Sequence, residues 1–117
     1  MSSSAVKRIL SGSTDGMPIK VAATSSPGTT IDTAVAGQTP GTYDEVWLWA
    51  CNVHTGNVVL TLEVGDAGAQ DIVTIPYKQG FVPIYAGHLL QNAKVIKAFA
   101  SVADVIFIHG HKHSITD

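Results

Sequence analysis

Short apolar runs recur along this chain at spacings of about ten residues, and each is closed by a cluster of Gly, Pro, Ser, Asn or Asp. Such punctuation leaves no stretch long enough for an amphipathic helix of several turns. It predicts short antiparallel strands: an all-β fold, a single jelly-roll-like β-sandwich of about eight strands. At 117 residues the chain is one domain, able to bury roughly two thirds of its unfolded surface without disulfides. The single cysteine, Cys51, has no partner within the chain.

The predicted strands begin after a Ser- and Gly-rich segment over 1–17 that reads as a flexible N-terminal arm, with Ile9 and Leu10 as its apolar touch. The sandwich then spans 18–117. IKVAA (19–23) ends at a Ser-Pro-Gly turn, and TTIDTAV (29–35) alternates Ile31, Thr33 and Val35 against Thr30, Asp32 and Ala34. EVWLWACNV (45–53) is apolar at both parities, with Val46, Leu48 and Ala50 on one face and Trp47, Trp49 and Cys51 on the other. A strand of that kind is central to the domain or covered by a partner.

VVLTLEV (58–64) turns Val58, Leu60, Leu62 and Val64 inward. DIVTIP and FVPIY follow, and Pro83 confines the latter to a sheet edge or a bulge. AGHLLQNAK (86–94) reads as a short helical turn, and VIKAFAS (95–101) and DVIFIHGHKH (104–113) complete the set.

In the last strand one parity collects Val105, Phe107, His109, His111 and His113. Histidines two apart on a strand are separated by about 6.5–7 Å, near enough for two imidazoles to share a metal ion at about 2.0–2.1 Å. His109, His111 and His113 are therefore the metal-ligating candidates, with zinc or iron at His109 and His111 as the implied cofactor and a symmetry mate as the source of further ligands. The competing readings are a solvated strand end loosened by Gly110 and a pH-sensitive contact; taken with the rest of the chain, no cofactor is required.

Nothing else carries catalytic spacing. Cys51 and His54 lie three apart and face opposite sides of a strand, no serine sits in a nucleophile elbow, and Glu63, Asp66 and Asp71 match no calcium loop. The chain is not expected to be an enzyme. Seven basic residues and a net charge of −2 offer no footprint for nucleic acid. The N-terminal residues lack the apolar run of about 7–15 residues of a signal peptide, and no stretch approaches the roughly 18 apolar residues of a membrane span, so a soluble protein is expected.

Charged residues make up 14% of the chain, against about 25% in ordinary soluble domains. The mean hydropathy is +0.24. A small domain with so few charges has an uncharged surface suited to contact with other protein. Trp47 and Trp49, with Ile9 and Leu10 of the arm, are the interface candidates; Trp47, Trp49 and Tyr43 are alternatively a platform for sugar rings.

The runs PIKVAATSSPGTTIDTAVAG, DEVWLWACNVHTGNVVLTLEVG and IVTIPYKQGFVPIYAGHLLQNAKVIKAFASVADVIFIHGHKHSI resemble a group of small virion proteins of tailed bacteriophages. The likeness covers about residues 17–115 and rests chiefly on the DEVWL, VVLTLEVG and LLQNAKVIKAFAS stretches. It implies a β-sandwich structural component of the virion, made in the host cytoplasm. The favoured role is a capsid decoration, or cement, protein on the capsid surface, assembled as a homo-oligomer (a trimer favoured) and bound to the major capsid protein or another virion protein. A head-tail connector or tail component is the second role, and a carbohydrate- or host-surface-binding module the third.

Overall fold

The structure, a computed structural model, describes residues 4–117. Among the described residues nine strands follow in chain order: β1 (Ser4–Arg8), β2 (Ile19–Lys20), β3 (Thr29–Thr33), β4 (Tyr43–Asn52), β5 (Val58–Val64), β6 (Gln70–Ile75), β7 (Val82–Leu90), β8 (Val95–Ala100) and β9 (Ile106–Thr116). They form two antiparallel sheets packed face to face. One is ordered β1-β9-β4-β7, with β2 also paired to β9, and the other β3-β8-β5-β6.

The chain crosses between the sheets after β2, β3, β4, β6, β7 and β8. Because β1 and β2 occupy successive stretches of the same edge of β9, they act as one interrupted strand. The architecture is thus a β-sandwich of two four-strand layers with jelly-roll connectivity.

The layers meet through the inward parity of each strand. Val46, Leu48 and Ala50 of β4 and Ile106 and Ile108 of β9 face Leu60 and Leu62 of β5 and Ile96 of β8, all without solvent exposure. Each fully buried Leu or Ile contributes about 1.5–3 kcal/mol relative to remaining in water. β5 buries Val58, Leu60 and Leu62 as expected, but Thr61 and Glu63, expected outward, are buried as well; Pro83 lies on an edge strand beside a register shift, as its missing N–H requires.

Three local readings are corrected. Residues 4–8, expected in a free arm, form β1 by pairing Ser4–Arg8 with Thr116–Lys112, and Leu10 enters the core at 2% exposure. The segment 86–94 contains no helical turn: β7 runs on to Leu90, and the chain reverses at Asn92 and Ala93, whose φ values of 62° and 54° suit a tight turn. In β3 a register shift between Thr30 and Asp32 breaks the alternation, so Ile31 and Asp32 are both fully buried.

Candidate contact surface

β4 and β9 lie side by side in an unbroken antiparallel register from Tyr43↔Ile115 to Asn52↔Ile106. The even-numbered residues of both strands face the core, so the odd-numbered ones cover the outer face of the sheet. Opposed there are Cys51 and Phe107, Trp49 and His109, Trp47 and His111, Glu45 and His113, and Tyr43 and Ile115. β7 adds Pro83, Ala86 and Leu89 beside Trp49, Trp47 and Glu45, and β1 adds Lys7 beside His113. Within these rows only Lys7 and Glu45 carry a formal charge, apart from the histidines.

His111 occupies the middle of this face. Its ring lies nearly parallel to the Trp47 indole, with 6.2 Å between centroids and 8° between planes, and 5.9 Å from the Trp49 ring at 27°. Burial, followed by the nearby positive charges of Lys7 and His113, lowers its pKa. The ring is therefore neutral at pH 7, and its stacking is that of an uncharged heteroaromatic. Trp47 Nε1 is buried here without a hydrogen-bond partner, a cost of about 1–3 kcal/mol.

The three histidines share the face, as their spacing predicts, but each is engaged differently. His109 meets Phe81 edge-on at 4.8 Å, His111 lies between the tryptophans, and His113 Nδ1 approaches Glu45 Oε1 at 3.8 Å. His111 and His113 stand edge to face at 5.4 Å. Among the described residues no group of three or more His, Cys, Asp or Glu side chains is placed to hold a metal ion. Glu63 accepts from Ser26 and Gln70, Asp66 from the Gly68 N–H, and Asp71 from Tyr85, so the carboxylates considered for calcium are each engaged separately.

Of the interface candidates, Trp47 and Trp49 lie half-buried on the outer face, and Ile9 is 56% exposed. Leu10 is corrected: packed inside its own domain, it has no surface to offer a partner. The sequence reading passed over Phe81 and Leu89, 59% and 53% exposed. Phe81, Trp49 and His109 line an apolar depression of about 220 Å³.

Gly110 does not loosen β9. A Cβ at this position would collide with the carbonyl oxygen of Trp47 and press on Leu48 and Leu10, so glycine is what lets β9 lie close against β4. Gly87, at φ +80°, forms one of the bulges of β7 and sits against the Trp47 indole.

The sequence reading also missed a buried ionic cluster under the same strand. Lys112 faces the core between its outward-facing histidine neighbours and is 6% exposed. Its Nζ lies 2.8 Å from Asp44 Oδ2, 3.0 Å from Asp32 Oδ1 and 3.0 Å from the Thr33 carbonyl oxygen. Asp44 also accepts from Ser114 Oγ and the Val35 N–H, and Asp32 from the Ser11 N–H. The parity that places His111 and His113 outward places Lys112 inward, and an inward lysine requires a carboxylate partner.

No protein-family model, curated protein or solved structure matches this chain.

Proposed function

We propose that this protein is a structural component of a tailed bacteriophage, a capsid decoration protein that joins copies of itself and the major capsid protein through the outer face of the β1-β9-β4-β7 sheet. The observation that carries the reading is that face itself: a nearly uncharged surface centred on the Trp47, His111 and Trp49 stack. Exposed Phe81 and Leu89 lie at its margin. Large aromatic side chains contribute most where a contact excludes water around them.

Jelly rolls serve in viral capsids among other settings. Function here is stabilisation by contact. A protein that binds the assembled lattice and not its dispersed subunits shifts the equilibrium toward the lattice, and repeated modest contacts add through multivalency. Copies about a twofold axis present this face to itself, whereas in a trimer it meets a different patch of the next copy, and either arrangement closes.

The test is co-sedimentation of the purified protein with undecorated capsids and with dispersed capsid protein. The reading predicts saturable binding to the assembled particle, in proportion to its lattice sites, and none to free subunits. Binding of a single ring per particle would instead assign the protein to the head-tail junction or tail, and no binding to either would remove it from the virion.

A further inference from the structure

The ionic cluster of Lys112, Asp32 and Asp44 joins the two sheets across the sandwich. Lys112 belongs to β9 and Asp44 to the neighbouring β4, whereas Asp32 belongs to β3 of the opposite sheet. All three side chains are buried, and Nζ stands at 3.0 and 3.2 Å from the two oxygens of Asp32. These are ion-pair distances, and contact with both oxygens sets Nζ next to the Cγ atom that carries them.

Two further contacts match a particular chemistry. Asp44 Oδ2 is 2.8 Å from the same Nζ and is held by Ser114 Oγ and the Val35 N–H. The Ser11 N–H donates to Asp32 Oδ1 at 2.8 Å, where negative charge gathers if the carboxyl carbon is attacked. A nucleophile, an electrophilic carbon, a proton carrier and an oxyanion donor are thus collected in one buried place.

We propose that Lys112 and Asp32 condense into an intramolecular isopeptide bond that staples the two sheets, with Asp44 as the proton carrier. One proton passes from the ammonium to the Asp32 carboxylate, leaving a neutral amine beside a carboxylic acid. The amine lone pair adds to Cγ, and the resulting oxyanion rests on the Ser11 N–H. Asp44 takes a proton from the nitrogen and delivers it to the departing oxygen, which leaves as water. One N–C bond forms, one C–O bond breaks, and no oxidant or cofactor is consumed.

The product replaces the Lys112–Asp32 ion pair by an amide, and Asp44 keeps the bonds from Ser114 Oγ and the Val35 N–H while the new amide N–H takes the place of the ammonium beside its Oδ2. The cross-link closes the chain between residues 32 and 112 and constrains the unfolded state as a disulfide would. It suits a protein that must hold its shape without cysteine pairs.

Mass spectrometry of the intact, denatured protein tests this without any variant. The expected mass is one water below that of the sequence, once removal of the initiator Met is considered. A proteolytic digest should yield a branched peptide joining the Asp32 and Lys112 segments. Lys112→Arg and Asp44→Asn should both restore the full mass. A full mass in protein kept folded for days, with trypsin cleaving freely after Lys112, would overturn the proposal. So would a missing water that maps to a linear peptide containing Asp15 and Gly16, where a succinimide forms instead.

Discussion

The imidazole of His111 stacks on the Trp47 indole of the adjacent strand, 8° from parallel, and its centroid lies 5.9 Å from that of Trp49 at 27°. Because burial and the charges of Lys7 and His113 lower its pKa, the folded protein binds this proton less readily than the unfolded chain does. By linkage its contribution to stability is fully present above the ordinary histidine value of about 6.5 and is lost as pH falls through the lower folded value. The melting temperature should therefore decline on acidification below about pH 6.5, with a parallel change in tryptophan fluorescence. His111→Phe should flatten both responses.

Removing Lys112 alone leaves Asp32 and Asp44 buried without a counter-charge. Measured against the chain before condensation, Lys112→Met should cost about 3–5 kcal/mol in urea unfolding, and more against the cross-linked protein, whose unfolded state is also constrained. The triple variant Lys112→Met, Asp32→Asn, Asp44→Asn keeps acceptors for the Ser11 and Val35 N–H groups and should recover most of the loss. An inexpensive Lys112→Met would mean that the aspartates find other partners or water.

Gly110 tests the close contact of β9 with β4. Gly110→Ala should destabilise by about 3 kcal/mol, because the added methyl meets the Trp47 carbonyl in the sheet. Gly56→Ala is the control: a Cβ there meets nothing within 4 Å, and a change within about 0.5 kcal/mol is expected.

The adjacent pair Ile9 and Leu10 separates fold from contact. Leu10→Ala should cost about 2–5 kcal/mol of stability, whereas Ile9→Ala should leave thermal unfolding nearly unchanged. Equal effects would show that β1 and its following residues do not pack as described.

The elements legible in the sequence are those whose alternation nothing interrupts. β5, β4 and the outward histidine row of β9 follow from parity alone, and β8 needs little more. Asp32 departs from the alternation of residues 29–35 because a bulge, invisible in a period-two pattern, turns two successive residues inward. β7 continues beyond Tyr85 through a bulge at Gly87, and residues 4–8 gain order only from the overhanging end of β9. Lys112 was overshadowed by the histidines around it. Phe81 and Leu89 carry no local signal, since only the packing of β4 against β7 and β9 brings them to the margin of the aromatic face.

Light scattering on the purified protein, beside a Trp49→Glu variant, tests the aromatic face most directly. The account predicts a wild-type mass that is a small multiple of the 12.2 kDa chain and a folded monomer for the variant. A wild-type monomer at every concentration, or an oligomer that tolerates a carboxylate at residue 49, would contradict it.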